Sequence, residues 1–182
     1  PYCRKMHPVL EQIAAGAVGR VAIVRKMAPL RGHEGARPAA LAYLCTPADH
    51  RERMADALYN APSEQLQREG TLGIAAGLGL DREAFGRCVD APETAARLEA
   101  DVAFGRAVDA FALPFTFVGR RIVVGYNPGA ARQAARFALA GNDQGWPVAW
   151  MMLAFGALAL GLLALTLRHA PADAAPVAAP GT

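Results

Sequence analysis

The chain has no block of like charge, no phosphate-cradling glycine loop and few thiols, and each shortage removes a class of function. Its formal net charge of +3 is the balance of 19 Lys and Arg against 16 Asp and Glu. That excess is too small and too dispersed for an electrostatic nucleic-acid footprint, so Arg20, Arg25, Lys26 and Arg31 read as solvated positions and no nucleic-acid partner is expected. Gly73, Gly77 and Gly79 sit among apolar helix residues with no Lys-Ser/Thr after them, which excludes a phosphate loop. No serine stands in the setting of a nucleophile. The four histidines, His7, His33, His50 and His169, lack ligand spacing, so no metal or other cofactor is expected. His7 reads as a surface or helix-packing residue.

Charge is also missing from residues 148–167, VAWMMLAFGALALGLLALTL. A run of ~20 apolar residues is the length that spans a bilayer core, and the expectation is one C-terminal transmembrane helix. Trp146 and Trp150 at its front and Arg168 and His169 at its end suit the two interfaces. Residues 142–147 form a linker, and 168–182 a Pro/Ala tail too poor in core formers to fold. Flanking charge does not set the topology, because Arg132 and Arg136 precede the span while Arg168 and His169 follow it. The first residue is Pro1 rather than Met, which leads us to expect a processed chain or a fragment.

What is present reads as one domain over residues 1–141. Met6, Leu10 and Ile13 recur at helical spacing after Pro1-Tyr2-Cys3, and Gly16 and Gly19 end that helix. Residues 21–24, VAIV, suit a buried strand. From residue 39 to about 112 the text is helical, broken at Thr46-Pro47, Ala61-Pro62-Ser63, Gly70, Gly79-Leu80-Asp81 and Asp90-Ala91-Pro92, with Asp81 placed as an N-cap. Strand signals return at 115–118 and 121–124 around the turn Gly119-Arg120, and a last helix opens near Asn127-Pro128. A small sheet interrupted by a helical insertion follows from this order, wanting one more strand upstream of Pro1.

The segments PYCRKMHP, FALPFTFVGRRIVVG and, between them, VRKMAPLRGHEGARPAALAYLC resemble the active-site helix, the cis-proline loop with its hairpin, and the strand and insertion entry of DsbA-like thiol-disulfide oxidoreductases. The resemblance covers residues 1 to about 140. It implies an α/β thioredoxin-like fold with an all-helical insertion, on the periplasmic side of a membrane. It also implies that Cys3 is the second, resolving thiol of a Cys-Pro-Tyr-Cys motif whose first cysteine lies before Pro1. Such a first thiol owes its low pKa to the unpaired N–H groups and dipole of a helix N-terminus. Pro114 would be the cis-proline facing the dithiol, with Pro1, Tyr2 and Leu113 as active-site neighbours. Leu113 and Ala112 depart from the family's usual residues before that proline.

The three cysteines are an odd set for an exported protein, and one upstream thiol would complete two pairs. Cys45 and Cys88 then remain, either as a structural disulfide or as separate buried thiols. Expected partners are cysteine-containing exported proteins, a membrane redox protein that recycles the dithiol, and the lipid bilayer through 148–167. The alternatives are a non-catalytic binding or assembly module of the same fold, and a reductase or isomerase.

Overall fold

In a computed structural model, residues 2–141 are described. Pro1, the linker 142–147, the apolar run 148–167 and the tail 168–182 lie outside them. Helix α1 (Tyr2–Ala15) buries Met6, His7 and Val9 on one face, the spacing that brings side chains one turn apart together. It ends in a turn through Gly16 and Gly19, the latter at φ 74°.

Five helices then follow: α2 (Ala36–Cys45), α3 (Arg51–Asn60), α4 (Arg68–Gly77), α5 (Arg82–Asp90) and α6 (Pro92–Ala107). Short 3-10 turns at Ala48–His50 and Ser63–Leu66 link α2 to α3 and α3 to α4. Local chemistry sets several of these ends. Asp81 caps α5 by accepting from the Ala84 N–H at 2.6 Å, and Pro92 opens α6 at a position whose N–H has no helical partner. Before α2, Gly35 has φ 76°, and a Cβ there would stand 2.5 Å from Leu66 Cβ, so only glycine lets the two stretches meet. Ala42, Tyr43, Met54, Ala55, Leu72, Ala75, Phe85 and Val89 fill the core of this block. Cys45 and Cys88 are bonded across it, α2 to α5, with Cα atoms 5.9 Å apart, and the buried Thr94 hydroxyl lies 3.6 Å from each sulfur. The sequence had left this pairing open.

A second core joins α1 to the C-terminal part of the domain. Strands β1 (Phe115–Val118) and β2 (Arg121–Val124) form an antiparallel hairpin in the register Phe115↔Val124, Thr116↔Val123, Phe117↔Ile122, Val118↔Arg121. Helix α7 (Pro128–Leu139) starts where Asn127 Oδ1 accepts from the Ala130 N–H at 3.0 Å. Val123, from one face of the hairpin, packs with Met6, Val9, Ala131 and Ala134. The opposite face leaves Phe117, Ile122 and Val124 exposed, and Phe111, Phe115 and Phe117 touch edge to face along it. The Leu113–Pro114 peptide before β1 is cis.

Two expectations are overturned. The described chain is mostly helical, with seven α-helices and a single two-stranded sheet, and not the α/β thioredoxin-like fold. Residues 21–24 carry the apolar, β-branched text of a strand but form none, and they pair with no other strand among the described residues. A strand is defined by its neighbour, and composition cannot supply one. No described helix is long and apolar enough to cross a membrane, and the segment expected to do so lies outside the described residues.

Candidate functional site

Cys3 sits in the first turn of α1, half-buried, and is the free cysteine of the described residues. The helix N-terminus favours a thiolate there, but burial works more strongly the other way and raises the thiol above its ordinary value of 9.0. At neutral pH Cys3 is therefore a protonated, weakly nucleophilic thiol. Its alkylation by iodoacetamide is expected to reach half its limiting rate at a higher pH than that of a short peptide thiol. A midpoint at or below the peptide's would show that the helix terminus, not burial, governs the sulfur. The same sign makes Cys3 stabilising while protonated, with that contribution lost as pH rises from 9.0 through the raised value.

One turn along the same face lies His7, 4% exposed. Its ring is held at both nitrogens. Arg25 Nη2 donates to Nδ1 at 3.0 Å, and because an arginine can only donate, Nδ1 must be the acceptor. The ring proton is thus on Nε2, which donates to Asp56 Oδ1 at 3.0 Å with Glu11 Oε1 at 3.4 Å beyond it. Arg25 also donates from Nη1 to Glu52 Oε1 at 2.7 Å, and Tyr43 lies close enough to act on its charge. Burial opposes the guanidinium charge, and Glu52 and Tyr43 outweigh it, so the Arg25 pKa is raised. Tyr59 closes the cluster, its ring 5.0 Å from the His7 ring. Its phenol is held above the ordinary 10.0, first by burial and then by the nearby Cys3 sulfur.

This cluster forms where α1, α2 and α3 meet the segment after α1. His7, Glu11 and Asp56 offer three ligand atoms within 4.8 Å of one another, the spacing of a metal site. The Arg25 hydrogen bond argues against that use. A metal on Nε2 would drive the ring proton to Nδ1, directly against an arginine donor. What the arrangement can do is hold one histidine tautomer and connect it to the Asp56 carboxylate, which is 58% exposed at the surface.

Sequence reasoning named Cys3 but missed its surroundings. Arg25, Tyr43, Glu52, Asp56 and Tyr59 come from other elements and carry no local spacing; Arg25, read as solvated, is largely buried. Of the surface and helix-packing readings of His7, burial against α3 fits the second, and the ring is in addition tied into a polar network. Of the other expected site residues, Tyr2 is exposed at the start of α1, while Leu113 and Pro114 are half-buried before β1, where the Pro114 carbonyl accepts from the Gly125 N–H at 2.7 Å. Among the described residues no hydrogen bond joins Cys3 to Leu113 or Pro114, and Pro1 is not described. Cys45 and Cys88 are brought together, in the helical core. Comparison with family models, with curated proteins and with solved structures finds no match for this chain.

Proposed function

We propose that this protein is a thiol-disulfide oxidoreductase acting on cysteines of exported polypeptides, with Cys3 as its resolving thiol and a cysteine directly before Pro1 as the attacking one. The observation that carries this reading is the state of the three cysteines. Cys45 and Cys88 are bonded to each other inside a core, while Cys3 is free, half-buried and at the first turn of a helix. The resemblance in PYCRKMHP and FALPFTFVGRRIVVG supports the same assignment.

In the oxidising direction a substrate thiolate attacks the upstream cysteine's sulfur, the bond from that sulfur to Cys3 breaks, and Cys3 leaves as a thiolate. Burial raises the Cys3 pKa, so the leaving sulfur takes up a proton. The substrate's second thiolate then attacks the mixed disulfide and releases the upstream cysteine reduced. Two electrons pass from the substrate dithiol to the protein's disulfide, and a membrane redox partner removes them. Residues 148–167 would anchor the domain to the bilayer on the periplasmic side, and no dissociable cofactor is required.

The test is insulin reduction by the gene's complete product. Cys3→Ala is expected to bring turnover to the uncatalysed background and to leave an alkylatable upstream thiol. Turnover equal to the parent would remove Cys3 from the chemistry. Any residue other than cysteine before Pro1 would instead favour a non-catalytic docking module, for which the exposed Phe117, Ile122 and Val124 face is the surface at hand.

A further inference from the structure

Three turns that lie far apart in the chain meet at one end of the domain. Helix α7 runs back along β2, so its last turn returns to the turn of the hairpin, and the Arg121 guanidinium lies over the Phe137 ring, 4.4 Å from its centre. The turn after α1 arrives at the same end. There Arg20 Nη2 donates to the Leu139 carbonyl at 2.6 Å, an acceptor in the last turn of a helix, where a cation is favoured.

This end is positive. Residues 1–109 hold equal numbers of basic and acidic side chains, whereas 110–141 hold Arg120, Arg121, Arg132 and Arg136 and no Asp or Glu. The positive excess of the described domain therefore lies in the hairpin and α7, and at their shared end Arg20 joins Arg120, Arg121 and Arg136. Glu11, the acid of α1, is turned to His7 instead, and the next acid along the chain is Asp143. The same end is also apolar where it meets water. Val18 is 84% exposed in the turn after α1; Phe117 and Ile122 sit opposite each other on the open face of the hairpin, beside its turn, with Ile122 53% exposed; and Phe137 is exposed under Arg121.

Arginines among exposed aromatic and branched side chains suit a lipid surface, where guanidinium groups pair with phosphates and apolar tips enter the headgroup boundary. An acidic peptide would meet the same charge, but the course of the chain favours the bilayer. The chain leaves α7 at this end, and the linker 142–147 can reach at most about 20 Å before the apolar run 148–167 begins.

We propose that the end of the domain formed by the turn after α1, the hairpin turn and the last turn of α7 docks on an anionic bilayer surface, with its arginines on lipid phosphates and Val18, Phe117, Ile122 and Phe137 in the interface. The inference rests on the bilayer anchor of the reading above and adds what a tether alone does not supply, a fixed orientation. With the end of α1 against the membrane, the length of that helix, about 20 Å, holds Cys3 in its first turn away from the lipid.

The test follows the full 182-residue chain by hydrogen exchange with mass spectrometry in vesicles of phosphatidylcholine alone and of phosphatidylcholine with phosphatidylglycerol. In the anionic vesicles the amides of 16–20 and 117–122 should exchange about 10-fold more slowly than in the neutral ones, while α5 exchanges alike in both. High salt should remove the difference, because it screens the headgroup attraction. Arg120→Glu/Arg136→Glu should remove it as well, with an unchanged thermal melt. Equal exchange in the two kinds of vesicle overturns the proposal, as does a difference that survives the double charge reversal. Slowing in neutral detergent that deepens with protein concentration overturns it in favour of a second copy, and slowing by polyglutamate but not by anionic vesicles overturns it in favour of an acidic protein partner. Alkaline carbonate reports on the anchor separately: a chain that it strips from neutral vesicles has no membrane span, whereas the exchange difference between the vesicles decides the docking end.

Discussion

Removing the Cys45–Cys88 bond, as the Cys45→Ala/Cys88→Ala variant, is expected to destabilise the domain by about 4 kcal/mol and to lower its melting temperature by about 15 °C. The bond closes a loop with a sequence separation of 43, and in the chain-entropy account that much unfolded freedom is what the cross-link removes. It also joins the start of the helical block to its fourth helix, α5, across the core built on Ala42, Leu72 and Phe85. Thermal melts followed by circular dichroism, without reductant for the parent, would measure it. A shift below about 2 °C would mean that the unfolded chain was already compact over this loop.

The second large effect is expected at Arg25. Arg25→Met should cost about 3 kcal/mol, measured by urea denaturation with an unchanged m-value, although the residue sits in a segment without regular structure. Its side chain is 10% exposed, and its loss leaves the buried Nδ1 of His7 without its donor and Glu52 without its ion-pair partner. Adding His7→Phe to Arg25→Met should recover part of the loss, because the stranded acceptor is then gone too. Arg68 provides the contrast. It bonds Asp90 and Glu69, and those bonds, Asp90's foremost, raise its pKa far above the ordinary value. All of these groups are in water, where solvent and salt screen the pairs, so Arg68→Ala should barely move the melt. An Arg25 variant as stable as the Arg68 one would show that the buried cluster contributes nothing to folding.

Much of the secondary structure was legible because it is written locally. Asp81 and Asn127 cap helices three residues before the N–H groups they accept from, and Gly119-Arg120 lies between two short β-branched runs. Each of these signals acts over a few residues. The reading failed where a strand needed company. VAIV is good strand text at 21–24, but the described chain offers it no partner, and with it the expected α/β sheet reduces to the β1–β2 hairpin. The site failed in the same way. Cys3 stands out in sequence, whereas the ties on His7 come from residues 18 and 49 positions away.

The amino-acid sequence by itself determined where several helices end, where the hairpin turns, and which thiol opens α1, since caps, prolines and side-chain period act within one or two turns of the backbone. The break read at Gly70 falls inside α4, and the start read at residue 39 falls inside α2. Only the tertiary structure decided that Cys45 meets Cys88 and that Arg25 is buried against His7. Those are distances between residues far apart in the chain, set by how whole helices pack. No local spacing encodes them.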